Sequence, residues 1–264
     1  MVWYASLLML SLTASPSVEF VAHRGESADA PENTLAAFQL AWERNVKAIE
    51  LDVHLSRDGV LVVCHDGDTK RTTGVSKKIK ETDWAELKTL DAGSWKDSKW
   101  SAEKLPNLES SLATIPDGAR CFIEVKVGAE AVPALVKAVR QSGKKPEQLV
   151  IISFQEDAVA EAKRQLPELK ALYLSSFKQD KATGAWTPSV EDLIAKAKAI
   201  KADGLDLAFK GPIDREQIDK IKDAGLEIGI WTVDDPKEAS RLIDLGVPII
   251  TTNKAEWLKQ QVEQ

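Results

Sequence analysis

The sequence predicts a (β/α)8 barrel of the TIM type, and three observations lead there. Apolar runs of strand length alternate with amphipathic stretches of helix length, the pattern of βαβ units in a parallel sheet. Eight such strands follow one another once the return arm of one hairpin is set aside, enough to close a barrel. Ionisable residues collect where strands end, which in barrel enzymes is the working face. A chain of 264 residues suits one such domain.

The first strand, Phe20-Val21-Ala22, ends in His23-Arg24-Gly25. After a loop, Asn33-Thr34 caps a helix that runs to about Asn45, with Leu35, Phe38, Leu40 and Trp42 as its apolar positions. The second strand, Ala48 to Leu55, carries Glu50 and Asp52. A period of two puts both carboxylates on one side and Leu51 on the other. Arg57-Asp58-Gly59 makes a tight turn, because Asp-Gly favours positive φ. Val60 to Cys64 then returns as the partner strand and ends in His65-Asp66.

Residues 67–105 read as a polar insertion after the second strand, with a capped helix start at Thr82 to Leu87. Trp84 is expected in a minicore beneath this insertion. Trp95 and Trp100 suit either that minicore or an aromatic wall over a substrate. Beyond it the alternation is regular. Strands fall at Ala119 to Val127, Leu149 to Ser153, Ala171 to Leu174, Gly204 to Leu207, Leu226 to Trp231 and Pro248 to Thr251. Helices follow at Ala129 to Ser142, Glu156 to Gln165, Val190 to Ile200, Arg215 to Ala224, Pro236 to Leu245 and Lys254 to Val262. No repeat, low-complexity tract or second domain interrupts residues 18–264.

A net charge of -6 and a pI near 5.3 argue against nucleic acid as a partner and offer no polybasic patch for a membrane. Cys64 and Cys121 fall at opposite ends of a parallel barrel, so both are expected as free, buried thiols. Residues 1–17 hold an apolar centre, Leu7 to Leu12, followed by Thr13-Ala14-Ser15. This reads as a signal peptide or leader, or else as a helix packed under the barrel. A signal peptide would place the protein in the periplasm or outside the cell; otherwise it is cytoplasmic. The run is too short to span a bilayer, so no integral membrane segment is expected.

A buried strand has no use for ionisable side chains at its exit unless they do something. All three histidines, His23, His54 and His65, lie within residues 19–66. Glu50 and Asp52 on one face suit a hard cation such as Mg2+ or Ca2+. Histidines exchange protons near neutral pH, and Arg24 can fork onto a phosphate. Lys126 shares a strand face with Glu124, so both can enter the same pocket.

His23-Arg24-Gly25, Pro31-Glu32-Asn33-Thr34, the run ELDVHLSRDGVLVVCHD from Glu50 to Asp66, and Arg71-Thr72-Thr73-Gly74 together resemble the glycerophosphodiester phosphodiesterase family. FIEVK at Phe122 to Lys126 and IGIWTV at Ile228 to Val233 continue the likeness, which covers nearly the whole chain from Glu19. The resemblance implies a phosphodiesterase-type TIM barrel with one divalent metal ion held by Glu50, Asp52 and Glu124. A buried ion pair of Glu124 with Arg24 or Lys126 is the bland alternative. It implies His23 and His65 as the acid–base pair, with His23 as base and His65 as acid, and His54 as a rim residue. Arg24 and Lys126 would hold phosphate oxygens, and Trp231 would wall the glycerol side or fill the barrel top. The implied reaction cleaves a glycerophosphodiester to glycerol 3-phosphate and an alcohol through a cyclic phosphate. Ile250 to Trp257, ITTNKAEW, departs from the family pattern at Asn253 and Ala255, where many relatives have Asp and Pro.

Two other readings fit the same fold. One is a related barrel phosphodiesterase acting on lysophospholipids or phosphoinositides, which would want an apolar rim or a basic interface. The other is a non-catalytic phosphate- or sugar-binding barrel, which a missing histidine or carboxylate would signal. A monomer or small homo-oligomer is expected.

Overall fold

A computed structural model describes residues 18–263; the leader-like segment 1–17 lies outside the described residues. Eleven strands are present among the described residues: β1 Glu19–Ala22, β2 Ala48–Leu55, β3 Leu61–Val63, β4 Arg120–Val125, β5 Leu149–Ser153, β6 Lys170–Ser175, β7 Lys178–Gln179, β8 Trp186–Thr187, β9 Gly204–Ala208, β10 Glu227–Trp231 and β11 Ile249–Thr252. Eight of them pair in parallel in the order β1-β11-β10-β9-β6-β5-β4-β2, and β2 pairs with β1 to close the ring. The (β/α)8 barrel is therefore complete. β3 lies antiparallel on the exit half of β2, as the Asp58-Gly59 turn requires.

The period of two builds two cores from the same strands. Val21, Ala48, Phe122, Val150, Ile152, Leu172, Leu174 and Ile249 point into the barrel. Their neighbours Leu51, Ile123, Ile151, Leu205, Leu207, Ile228 and Ile230 point outward, under the helices. Helix Val132–Ser142 is typical of that outer layer: Val132, Leu135, Val136 and Val139 recur on one face and are buried. Each such side chain contributes on the order of 1.5–3 kcal/mol by leaving water.

At the N-terminal end the inward positions are charged. Arg120 donates to Glu19 at 2.6 Å and Lys170 pairs with Glu227, so opposite charges plug the barrel floor. The apolar layer sits above them, and the inward carboxylates above that.

Several local expectations are corrected. Thr34, not Asn33, caps the helix Leu35–Glu43, its hydroxyl accepting from Ala37 N–H. Asn33 instead takes a left-handed backbone, φ 57°, which frees its side chain to reach across the barrel mouth. Asp83 stands at the start of helix Trp84–Leu87 but makes no cap hydrogen bond, because Arg57 holds its carboxylate. Asp58 accepts from Trp84 N–H in its place. The polar loop after β6 contains the small hairpin β7–β8, which turns on Asp180 accepting from the N–H groups of Ala182 and Thr183.

Over residues 67–105, Ile79, Leu87, Ala92 and Leu105 pack with Val62 and Cys64 into a third core, and Trp84 lies against it. Both cysteines are free and buried. Burial pushes the Cys64 thiol up to about 12, so it is no nucleophile.

Candidate active site

The register of β2 on β4 places Glu50 beside Phe122 and Asp52 beside Glu124. Because these positions face inward, three carboxylates meet just above the apolar layer. One oxygen of each lies within 4.8 Å of the others, and all three residues are buried.

Their surroundings are unequal. Asp52 is fully enclosed. Asn33 donates to it at 2.7 Å, Arg24 Nε lies 3.3 Å away and Lys126 Nζ 3.3 Å away. Burial opposes its ionisation, but Lys126 and Arg24 overcome that and hold it below the usual carboxylate range. Glu50 accepts only the Arg24 backbone N–H, at 2.9 Å. Burial, reinforced by Asp52 and Glu124, pushes its carboxyl well above the usual range. Glu124 faces Lys126 Nζ at 2.8 Å, yet burial and the Asp52 charge push it up to about 7. The ion pair of Glu124 with Lys126 is present, and it does not exhaust the site. Glu50 Oε1, Asp52 Oδ1 and Glu124 Oε1 are all buried without a hydrogen bond of proper geometry. Buried, converging carboxylate oxygens that make no well-directed hydrogen bond fit a hard divalent cation. The residues present can therefore hold one metal ion.

His23 leaves the end of β1 toward this cluster, and its Nδ1 lies 2.7 Å from Asn253 Oδ1. The Asn253 amide is itself oriented. Its Nδ2 donates to Asp234 at 2.7 Å, and its backbone N–H donates to the same carboxylate at 2.9 Å. With Nδ2 spent on a carboxylate, Oδ1 must face His23, so the histidine proton sits on Nδ1 and Nε2 is the bare nitrogen. Burial and the neighbouring Arg24 charge push the ring down to about 4, so His23 is neutral at pH 7.

His65 is held from the other side. Its Nδ1 donates to Asp66 at 2.6 Å, and Arg71 grips Asp66 and Glu32 together. The Arg71 hydrogen bonds, then burial opposing them, set the Asp66 carboxyl, which is held down at about 2. It is therefore an acceptor only, and His65 too keeps its proton on Nδ1. His54 does something else: its Nε2 donates to the His65 backbone carbonyl at 3.0 Å, bracing the segment that carries His65.

Arg24 is anchored on Glu32 at 2.8 Å and beside Asp52. Together with Lys126 it lines a cavity of about 230 Å3 that also receives His23, His65, Glu50, Glu124 and Trp231. Trp231 forms part of the wall and part of the core: it packs on the inner apolar layer and stands edge-to-face with Phe154 at 5.7 Å. Of the insertion tryptophans, Trp95 is exposed and lines a second depression with Lys96, Asp234 and Asn253 beside the mouth.

All eight residues singled out from the sequence line the cavity or border it. The residues that orient them were not singled out: Asn33 on Asp52, Asp66 and Arg71 on His65, Asp234 on Asn253. Asn33, Asp66 and Arg71 had left a signal as members of the motifs that resemble the family, and Asn253 as a departure from the family pattern; Asp234 had left none.

A barrel with buried carboxylates and two oriented histidines at the C-terminal ends of its strands is the framework of a metal-competent barrel hydrolase. A profile of the "Glycerophosphoryl diester phosphodiesterase family" matches residues 23–256, and the chain belongs to that family. Glycerophosphodiester phosphodiesterase of Caldanaerobacter subterraneus subsp. tengcongensis is 33% identical over 244 residues, which is 90% of this chain and 95% of the relative. The Bacillus subtilis enzyme of the same name is 30% identical over 250 residues, 88% and 82% of the two chains. Among solved structures, an Oleispira antarctica phosphodiesterase in complex with the product sn-glycerol-3-phosphate superposes with a TM-score of 0.84. It is 31% identical, and the match covers 93% of this chain and 97% of that one. The protein is thus an enzyme of the phosphoric diester hydrolase class. No helix among the described residues is long and apolar enough to cross a membrane.

Proposed function

We propose that this protein hydrolyses glycerophosphodiesters to glycerol 3-phosphate and an alcohol, using one divalent cation, Mg2+ or Ca2+, held by Glu50, Asp52 and Glu124. The observation that carries the reading is the pairing of that carboxylate cluster with two histidines whose Nδ1 atoms are both engaged. Each ring then offers only Nε2 for proton transfer at the same cavity.

When bound, the cation supplies Lewis-acid stabilisation of the negative charge that develops on phosphate oxygens. The chain's own residues do the rest. Arg24 and Lys126 bring positive charge to the phosphate, and their anchors Glu32, Asp52 and Glu124 hold that charge in place before substrate arrives. His23, neutral and bare at Nε2, takes the proton of the glycerol hydroxyl next to the phosphate. The hydroxyl oxygen attacks phosphorus, and a five-membered cyclic phosphate forms. His65 gives its Nε2 proton to the departing alcohol oxygen, its ring held in orientation by Asp66 on Nδ1. In the second step the roles reverse. His65 takes a proton from water, the water oxygen bonds to phosphorus, the ring bond breaks, and His23 returns its proton to the freed glycerol oxygen.

The test is release of glycerol 3-phosphate from a panel of glycerophosphodiesters, with and without chelator. Release that chelator abolishes and Mg2+ or Ca2+ restores is expected. Full turnover in metal-stripped protein would remove the role given to the three carboxylates.

A further inference from the structure

One buried group at the cavity is used by none of this. β9 reads Gly204-Leu205-Asp206-Leu207-Ala208. Leu205 and Leu207 enter the outer core, so Asp206 points into the barrel, where its carboxyl is buried. Oδ1 has no hydrogen-bond partner, and among the described residues no ion pair or side-chain hydrogen bond reaches this carboxyl. Trp231 donates to the Asp206 backbone carbonyl at 3.1 Å and leaves the carboxyl free.

The space around it is built rather than accidental. Gly229 of β10 stands directly opposite in register, and a Cβ there would come within 2.5 Å of Oδ1. Any other residue would crowd the carboxyl. Ile152, Leu174 and Trp231 give the cavity apolar walls on this side, whereas Arg24 and Lys126 belong to its cationic side. Burial and the Glu124 charge push the carboxyl up to about 8, so at neutral pH it offers both an O–H donor and a carbonyl acceptor.

A buried carboxyl without partners destabilises a fold, and natural sequences keep such groups where a ligand completes them. A phosphate would find no cation here. A short polyol fits both features: its carbons lie against the apolar walls and a hydroxyl meets the carboxyl. We propose that Asp206 is a substrate-recognition residue that hydrogen-bonds a hydroxyl of the glycerol moiety at the floor of the cavity. The proposal rests on the glycerophosphodiester reading and adds to it the residue that selects the polyol.

The test uses the metal-loaded enzyme and three variants: Asp206→Val, Asp206→Ala and Asp206→Asn. Loss of the carboxyl in the first two should raise KM for glycerophosphocholine roughly tenfold, the equivalent of about 1.4 kcal/mol. It should weaken the thermal protection given by sn-glycerol 3-phosphate in the same proportion. Protection by inorganic phosphate should not change. Asn, which keeps a donor and an acceptor, should stay within a few-fold of wild type. Ligand-free Asp206→Val should melt at or above the wild-type temperature, because it removes an unsatisfied buried group. Alanine and valine variants with unchanged KM and unchanged product protection would overturn the proposal. So would equal loss of protection by phosphate and by glycerol 3-phosphate. Wild-type enzyme that neither turns over glycerophosphocholine nor is protected by glycerol 3-phosphate would instead overturn the reading beneath it.

Discussion

The carboxylate cluster predicts an unusual dependence of stability on pH. Glu124 is raised from 4.5 to about 7 in the fold, chiefly by burial and then by Asp52. A carboxyl raised in the folded state stabilises fully below its unfolded value, and the contribution disappears as pH rises through the folded value. Between 4.5 and 7 the difference corresponds to ~3 kcal/mol at 1.36 kcal/mol per unit. Glu50 moves in the same direction. Asp52 is shifted the other way, so its contribution is complete above its ordinary value and stays constant in the window that matters. Asp206, pushed up to about 8 by burial first and by the Glu124 charge second, also loses stability as pH rises; the part due to burial is the same with or without cation and cancels from the comparison. The cation reverses the Glu124 and Glu50 penalty, because it needs those carboxylates ionised. Metal-stripped protein should therefore melt lower at pH 8 than at pH 5. Saturating Ca2+ or Mg2+ should restore roughly 5–10 °C at pH 8 and little at pH 5, given ~2–4 °C per kcal/mol for a chain of this size. Differential scanning calorimetry with and without cation at both pH values reads this directly. Glu124→Gln should flatten the pH slope and shrink the cation gain. An equal gain at both pH values, or no slope in stripped protein, would refute the account of the cluster.

Other expectations concern the histidines and their supports. His23→Ala and His65→Ala should each lower kcat by roughly 10²–10⁴-fold, and His54→Ala far less, since its contact is to a backbone carbonyl. On a diester with a nitrophenol leaving group, His65→Ala should be partly rescued and His23→Ala not; equal rescue of both would reverse the assigned roles. Asn253→Leu removes the acceptor that sets the His23 tautomer. It should lower kcat by roughly 10–100-fold, as loss of an orienting partner does elsewhere, with KM little moved; a change in KM alone would assign Asn253 to binding. Arg24→Lys keeps charge but cannot span Glu32 and Asp52 together. Activity should fall while the melting temperature stays near wild type, and wild-type kinetics would make Arg24 a structural ion-pair partner.

Much of the frame of the candidate site was legible in the sequence, because it depends on local periodicity. A strand that reads apolar throughout except at alternate positions near its end must turn those positions to one side. Glu50 with Asp52 and Glu124 with Lys126 follow from that rule alone, and eight alternating units leave a barrel as the way to bury both faces of the sheet. What orients the site is another matter. His23 and Asn253 lie 230 residues apart in sequence and touch only because β1 and β11 are neighbours in the closed ring. Asn33 reaches Asp52, and Arg71 reaches Glu32, across loops whose path no spacing reveals. Asp206 illustrates the division most plainly. The pattern of β9 places it inward, but that its carboxyl has no partner is a property of every strand around it. Gly229 opposite, apolar residues beside it and the cations on the far side are brought together only by closing the barrel.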